Sequence, residues 1–254
     1  MIDLDLRGKV AVVTGGSRGI GRATVEAFAL CGANVVVNYA TDENAAEEVA
    51  RAARAAGVRA MIYAADARRV EDAAQLAEAV LSQFGRIDIL VCNAGIWQGA
   101  PVEEIDEELW DRVIDVNLKG TWTMCRAVVP YMKKTTFGRI IIVSSTAGQR
   151  GEASVSNYAA SKGGQISFAK SLATELAAFD ITVNCVAPGW VNTDMNAAVF
   201  SDEAHRQRIA GTIPLGRIPP PEDIARPIVF LASSWARHIT GEVLNVNGGS
   251  VLCG

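Results

Sequence analysis

Val10-Ala11-Val12-Val13 runs directly into Thr14-Gly15-Gly16-Ser17-Arg18-Gly19-Ile20-Gly21, and a helical pattern opens near Arg22. A β-branched run, a glycine-rich turn and a helix start make up a nucleotide-binding corner. The glycines permit a tight turn, let the backbone approach a pyrophosphate, and allow close helix–strand packing. The helix N-terminus then offers free N–H groups and a partial positive charge. The spacing is G-x-x-x-G-x-G rather than G-x-G-x-x-G, so the loop is one residue longer. With a strand before it and a helix after it, this turn predicts a dinucleotide site built on Gly15, Ser17, Arg18, Gly19, Ile20 and Gly21.

Outward from that corner, short apolar runs alternate with helical patterns. The runs are Val35 to Val37, Ala60 to Tyr63, Ile87 to Val91, Ile140 to Val143, Thr182 to Val186 and Val243 to Val246. They are apolar nearly throughout, as strands buried on both faces are. Between them, Glu43 to Ala56, Val70 to Phe84, Glu107 to Met132 and Val155 to Ala178 read as helices. This alternation predicts an α/β Rossmann fold: one domain over 1–254, with a doubly wound, mostly parallel seven-stranded sheet and helices on both faces. The stretch 190–221 breaks the rhythm and carries Gly211, Pro214, Gly216 and Pro219-Pro220-Pro221. A connection that long predicts a lid over a site at the strand ends.

Composition narrows the classes. The 254 residues are 50% hydrophobic and 20% charged, with net charge −4, which suits a packed core and leaves no basic footprint for nucleic acid. No apolar stretch reaches the roughly 18 residues of a membrane span, and the N-terminus lacks a signal-peptide pattern. A cytoplasmic protein, with no nucleic-acid or membrane partner, is expected. Five scattered cysteines and two distant histidines form no disulfide framework or metal-ligand spacing. They are expected to be buried thiols, with only Cys253 exposed, and no metal site.

At the end of the second strand stand Asn38 and Tyr39, with no carboxylate until Asp42. An NAD-preferring site places an acid there for the ribose 2′-OH. Its absence, with Arg18 as a planar donor fork, predicts NADP(H) as the preferred cofactor and leaves NAD(H) usable.

Tyr158-Ala159-Ala160-Ser161-Lys162 sets a phenol and an ammonium on one helix face at i, i+4. A free tyrosine titrates near 10 and is a poor base at pH 7. The neighbouring ammonium and an oxidised nicotinamide are expected to bring it to about 7 or 8. Ser144 and Ser145 follow the Ile140 strand and so stand at the carboxyl end of the sheet. A hydroxyl at Ser145 would donate to a substrate carbonyl while the tyrosine delivers a proton.

These residues together resemble the short-chain dehydrogenase/reductase family over essentially the whole chain. Its marks stand here as Thr14 to Gly21, Asp66, Asn93-Ala94-Gly95, Asn117, Ser145, Tyr158, Lys162 and Pro188-Gly189. The resemblance implies roles for each. Ser145 would orient the carbonyl, and Tyr158 would be the general acid or base. Lys162 would bind the nicotinamide ribose, and Asn117 would hold a water of the proton relay. Asp66, with Ala67, would take the adenine; Asn93, Ala94 and Gly95 would line the cleft; Pro188, Gly189, Val191 and Thr193 would close over the nicotinamide. It also implies hydride transfer between nicotinamide and a carbinol carbon.

Within the family the chain is most similar to 3-oxoacyl-[acyl-carrier-protein] reductases. Ketone, alcohol or polyol dehydrogenation, and non-catalytic dinucleotide sensing, remain open alternatives. The arginines with which such reductases face an acidic carrier are replaced by Thr135-Thr136-Phe137 and Ala173-Thr174-Glu175, with Lys133, Lys134, Arg139 and Arg150 as partial compensation. Trp97 and Trp190 are candidates for an apolar substrate wall. The helices over 107–132 and 155–178 carry more apolar positions than one buried stripe needs. In the family they form the main subunit interface, which implies a homotetramer.

Overall fold

The computed structural model describes residues 4–252; the expected exposure of Cys253 lies outside the described residues. Each apolar run forms a strand: β1 Val10–Val13, β2 Asn34–Tyr39, β3 Ala60–Ala64, β4 Ile89–Cys92, β5 Gly138–Val143, β6 Ile181–Pro188 and β7 Val243–Val246. They pair in the order β3-β2-β1-β4-β5-β6-β7, every pair parallel. Continuous Val/Ile runs suit this sheet because both faces are covered. Helices α1 (Gly19–Leu30), α2 (Glu43–Ala55) and α9 (Glu222–Ala232) cover one face, burying Phe28, Val49 and Ile228. Helices α3 (Val70–Phe84), α5 (Gly120–Thr135) and α7 (Ser156–Leu176) cover the other, burying Leu76, Met124 and Leu176.

The helix expected over 107–132 is interrupted. Helix α4 (Glu107–Ile114) passes into a π-helical turn, Asp115–Lys119, before α5 begins. Periodicity cannot show one extra residue in a turn, and such turns concentrate at functional sites. This one swings Asn117 into full burial.

The stretch 190–221 is folded rather than loose. It holds a short turn of helix, Asp194–Asn196, and α8 (Glu203–Thr212), whose first turn is capped by Asp202. Asn192 N–H donates to Pro219 O (3.0 Å) and Leu215 N–H to Gly248 O (3.1 Å), while Phe200 and Ile213 are buried. The remaining helix, α6 (Thr146–Arg150), follows β5. Among the described residues, no helix is long and apolar enough to cross a membrane, and no cluster of three or more His, Cys, Asp or Glu could hold a metal ion.

Candidate active site

The strand order reverses between β1 and β4, and ligands of open α/β sheets bind outside the carboxyl ends of the strands at that point. A cleft of about 330 Å³ lies there. The turn after β1 is laced to the turn after β4: Thr14 Oγ1 accepts from Asn93 N–H (2.9 Å) and Ala94 N–H (3.0 Å). Asn93 Nδ2 donates back to Thr14 O (3.0 Å) and Gly15 O (3.1 Å). Gly15 and Gly19 take positive φ, 59° and 53°, which favours glycine. Gly21 stays out of the cleft wall. A Cβ there would overlap the carbonyl oxygen of Gly15, so Gly21 is what lets α1 start directly beneath the turn.

Gly15, Ser17, Arg18, Gly19 and Ile20 line the cleft. Arg18 precedes α1 in extended geometry, and the helix has no acid in its first turn. Arg18 is exposed and forms no ion pair among the described residues. A helix N-terminus free of acids beside an uncommitted guanidinium is a donor set that fits a pyrophosphate and a further phosphate. Asn93, Ala94, Gly95, Pro188, Gly189, Val191 and Thr193 line the same cleft.

Besides Gly21, three expected cofactor residues stand off the cleft wall. Asn38 is buried, and its amide donates to Tyr39 O, Tyr63 O and Ala65 O, tying β2 to β3. Tyr39, Ala40, Thr41 and Asp42 form the cleft wall in its place. Asp42 also caps α2 through Ala45 N–H (3.0 Å). Asp66 lies outside the cleft wall, and its carboxylate is gripped by Arg68 in a fork of 2.6–3.0 Å contacts. That guanidinium holds the Asp66 carboxyl below the usual carboxylate range. Ala67 is also outside it; its carbonyl accepts from Thr123 Oγ1. These residues end or follow β2 and β3, but they are hydrogen-bonded within the protein and do not line the cleft.

At the other end of the cleft, the two serines after β5 divide the work. Ser144 is buried, and its hydroxyl donates to Lys162 O (2.9 Å), anchoring α7 to the sheet. Ser145 and Tyr158 both face the cleft, and Ser145 caps α6 by accepting from Ala147 N–H (3.1 Å). Lys162 is buried; its ammonium donates to Val143 O (2.8 Å) and lies 5.6 Å from the centroid of the Tyr158 ring.

Burial dominates both titrations. It pushes Tyr158 up to about 12, with the neighbouring Ser145 hydroxyl opposing and the Glu152 charge adding. It pulls Lys162 down to about 8. The expected fall of the phenol to 7 or 8 is therefore not a property of the protein alone. Desolvation disfavours the phenolate more than its neighbours favour it. Without cofactor, the Tyr158 phenol therefore keeps its proton at neutral pH.

Asn117 reaches the back of the site and closes on the chain itself. Its Oδ1 accepts from Ile96 N–H (2.8 Å), and its Nδ2 donates to Ile96 O (3.1 Å) and Ser161 Oγ (3.0 Å). Its carbonyl accepts from Gln165 Nε2 and Thr121 Oγ1, both at 2.8 Å. Its polar atoms thus face protein partners, and it holds the 94–97 loop against α7. Ser161 and Gln165, which bind it, carried no sequence signal because polar residues on a helix read as surface.

Trp97 and Trp190 both line the cleft and meet edge to face, centroids 5.8 Å apart at 78°; Trp190 meets Phe200 in the same way at 5.8 Å. An aromatic chain therefore joins the loop after β4 to the 190–221 stretch. Arg150 and Glu152 complete the lining at this end. Arg139, expected among the compensating basic residues, is buried and donates to Gly138 O and Asp180 O. Lys133 stands 3.9 Å from Glu175. Cys92, Cys125 and Cys185 are buried thiols, and Cys31 is half-buried.

Comparison with known proteins agrees with this architecture. A family model described as enoyl-(acyl carrier protein) reductase matches residues 15–250. The 3-oxoacyl-[acyl-carrier-protein] reductase of Escherichia coli (strain K12) is 42% identical over 249 residues, covering 98% of this chain and 100% of that protein. The enzyme of the same name from Staphylococcus aureus (strain Mu50) is 43% identical, covering 96% and 98%. A crystal structure described as a short-chain alcohol dehydrogenase from Sinorhizobium meliloti 1021 superposes with a TM-score of 0.93 at 37% identity, covering 98% of each chain. With the glycine turn, the reversal-point cleft and the Ser145–Tyr158–Lys162 cluster in one frame, the chain belongs to the short-chain dehydrogenase/reductase family of oxidoreductases.

Proposed function

We propose that this chain is an NADPH-dependent reductase of 3-oxoacyl thioesters. The observation that carries this reading is the pair of hydroxyls, Ser145 and a protonated Tyr158, that line the cleft at the carboxyl end of β5 beside the buried ammonium of Lys162. Two hydroxyl donors suit the two lone pairs of a ketone oxygen. Tyr158 passes its proton to that oxygen as negative charge develops there, and Ser145 holds the oxygen by a hydrogen bond. The cofactor, when bound, supplies the hydride. The α1 N-terminus and Arg18 would hold its phosphates, and Lys162 its ribose, with Asn93 to Gly95 and Pro188 to Thr193 as walls. Asn117 acts by fixing the 94–97 loop, so it is a positioning residue. Relatives about 42% identical that bear the name 3-oxoacyl-[acyl-carrier-protein] reductase support the acyl class.

The 190–221 stretch serves as the lid in this reading, hinged to the substrate wall by the Trp97–Trp190–Phe200 contacts. The assembly is a homotetramer in the cytoplasm. On α5, Trp122 is 42% exposed and Val129 and Tyr131 are only partly buried, as is Phe168 on α7, apolar positions suited to a second copy. A tetrameric mass in light scattering is the expected result, and a monomeric mass refutes it.

The direct experiment follows the absorbance of NADPH, then NADH, with an acetoacetyl thioester. Faster oxidation of NADPH is expected. Arg18→Ala should lower the NADPH-to-NADH ratio of kcat/KM by about tenfold or more, through loss of a charged phosphate contact. Equal wild-type ratios, or an unchanged ratio in the variant, contradict the assignment of Arg18. No thioester turnover contradicts the reductase itself.

A further inference from the structure

Two charged side chains at the substrate end, Arg150 and Glu152, take no part in the chemistry above. Arg150 ends α6 and is exposed, whereas Glu152 is half-buried in the loop to α7. That loop is held in place. Gly151 and Ser154 take positive φ, 74° and 62°. Gly99 also packs so tightly on it that a Cβ there would come within 2.8 Å of Val155 Cα. The remaining charged residues of the cleft face other surroundings. Arg18, Asp42 and Asp194 also line a polar recess at the α1 N-terminus, and Lys162 donates to Val143 O. Burial lifts the Glu152 carboxyl, Arg150 opposes that shift, and the Glu152 charge is felt at Tyr158. A half-buried carboxylate and an exposed guanidinium thus line the same cleft as the Tyr158 hydroxyl.

We propose that Glu152 is a specificity-determining residue: it admits uncharged 3-oxoacyl esters and thioesters, rejects free 3-oxo acids, and cancels the attraction of Arg150 for such acids. The inference rests on the reductase reading. A 3-oxo acid carries its carboxylate one methylene from the reacting carbonyl. Placing that carbonyl at Tyr158 brings a second negative charge against Glu152 in a partly desolvated wall, where like charges repel strongly. A thioester of the same acyl group carries no such charge.

The test compares kcat/KM for the acetoacetyl thioester of N-acetylcysteamine with that for acetoacetate, at pH 7, in the wild type, Glu152→Gln and Glu152→Gln/Arg150→Ala. The ratio is taken within one preparation, so partial loss of active protein and any change at Tyr158 cancel. Glu152→Gln is expected to shift the ratio toward acetoacetate by about tenfold or more, and the added Arg150→Ala to reverse that gain. An unchanged ratio in Glu152→Gln overturns the proposal. A second measurement needs no variant. Raising salt from about 0.02 to 0.5 M should improve acetoacetate relative to the thioester in the wild type, because the repulsion is screened. A salt-independent ratio also overturns it. Failure of the underlying reading looks different: the wild type would reduce neither acceptor, or the acid faster than the thioester.

Discussion

Replacing Tyr158 with phenylalanine should lower kcat for thioester reduction by about 10³-fold, within the range general acid catalysis supplies, while NADPH still binds. The fold stays intact in this variant because the ring is retained and only the hydroxyl beside Ser145 is removed. Stopped turnover with retained NADPH fluorescence on titration is the expected pair of results. Turnover within about tenfold of wild type would move the proton donor elsewhere.

The pH dependence follows from the two shifted groups. Tyr158, raised to about 12, keeps its proton throughout the working range, so the phenol adds no alkaline limb below pH 10. Lys162, lowered to about 8, is charged below that pH and neutral above it. The kcat/KM for NADPH reports the free enzyme. It should be level below pH 7 and fall as pH rises through about 8, as the ammonium that would hold the ribose is lost. A profile level to pH 10 would remove that role from Lys162.

Gly21→Ala is the second large effect. In most helix positions this change is stabilising, by up to about 1 kcal/mol. Here the new Cβ overlaps the backbone carbonyl of Gly15 and presses on Asn93 Nδ2, at 2.6 Å. A backbone atom cannot rotate away, so α1 and the turn must separate. The Asn93 bonds to Thr14 O and Gly15 O, 3.0 and 3.1 Å, weaken with them. A net loss of about 2–3 kcal/mol is expected, lowering Tm by about 5–10 °C, with NADPH affinity reduced about tenfold through the displaced helix N-terminus. Gly211→Ala is the control, since open space surrounds that position in α8; it should leave Tm unchanged or slightly raised.

What could be read along the chain was whatever repeats locally. Runs such as Ile140-Ile141-Ile142-Val143 have no polar side, so they fit only strands covered on both faces. The spacing of Gly15, Gly19 and Gly21 encodes a turn in three residues of backbone freedom. Tyr158 and Lys162 share a helix face by period alone, and Ser145 follows from ending a strand. The seven strands, the Gly-turn and the reacting cluster were thus legible before any coordinates.

Interactions between distant segments were not. The π turn at Asp115–Lys119 depends on Asn117 finding Ile96 and Ser161, which no window along the chain contains. Asn38 stands at the end of β2 and Asp66 follows β3, as expected, yet their side chains hydrogen-bond to Ala65 O and Arg68 rather than lining the cleft. The proton affinity of Tyr158 without cofactor was not legible either, since counting neighbouring charges leaves out the desolvation that burial imposes. Local periodicity by itself determined the fold and the placement of the trio proposed to react, Ser145, Tyr158 and Lys162. Which polar side chains face the cleft, and with what proton affinity, was decided by tertiary packing, because burial and long-range hydrogen bonding exist only once the chain has closed on itself.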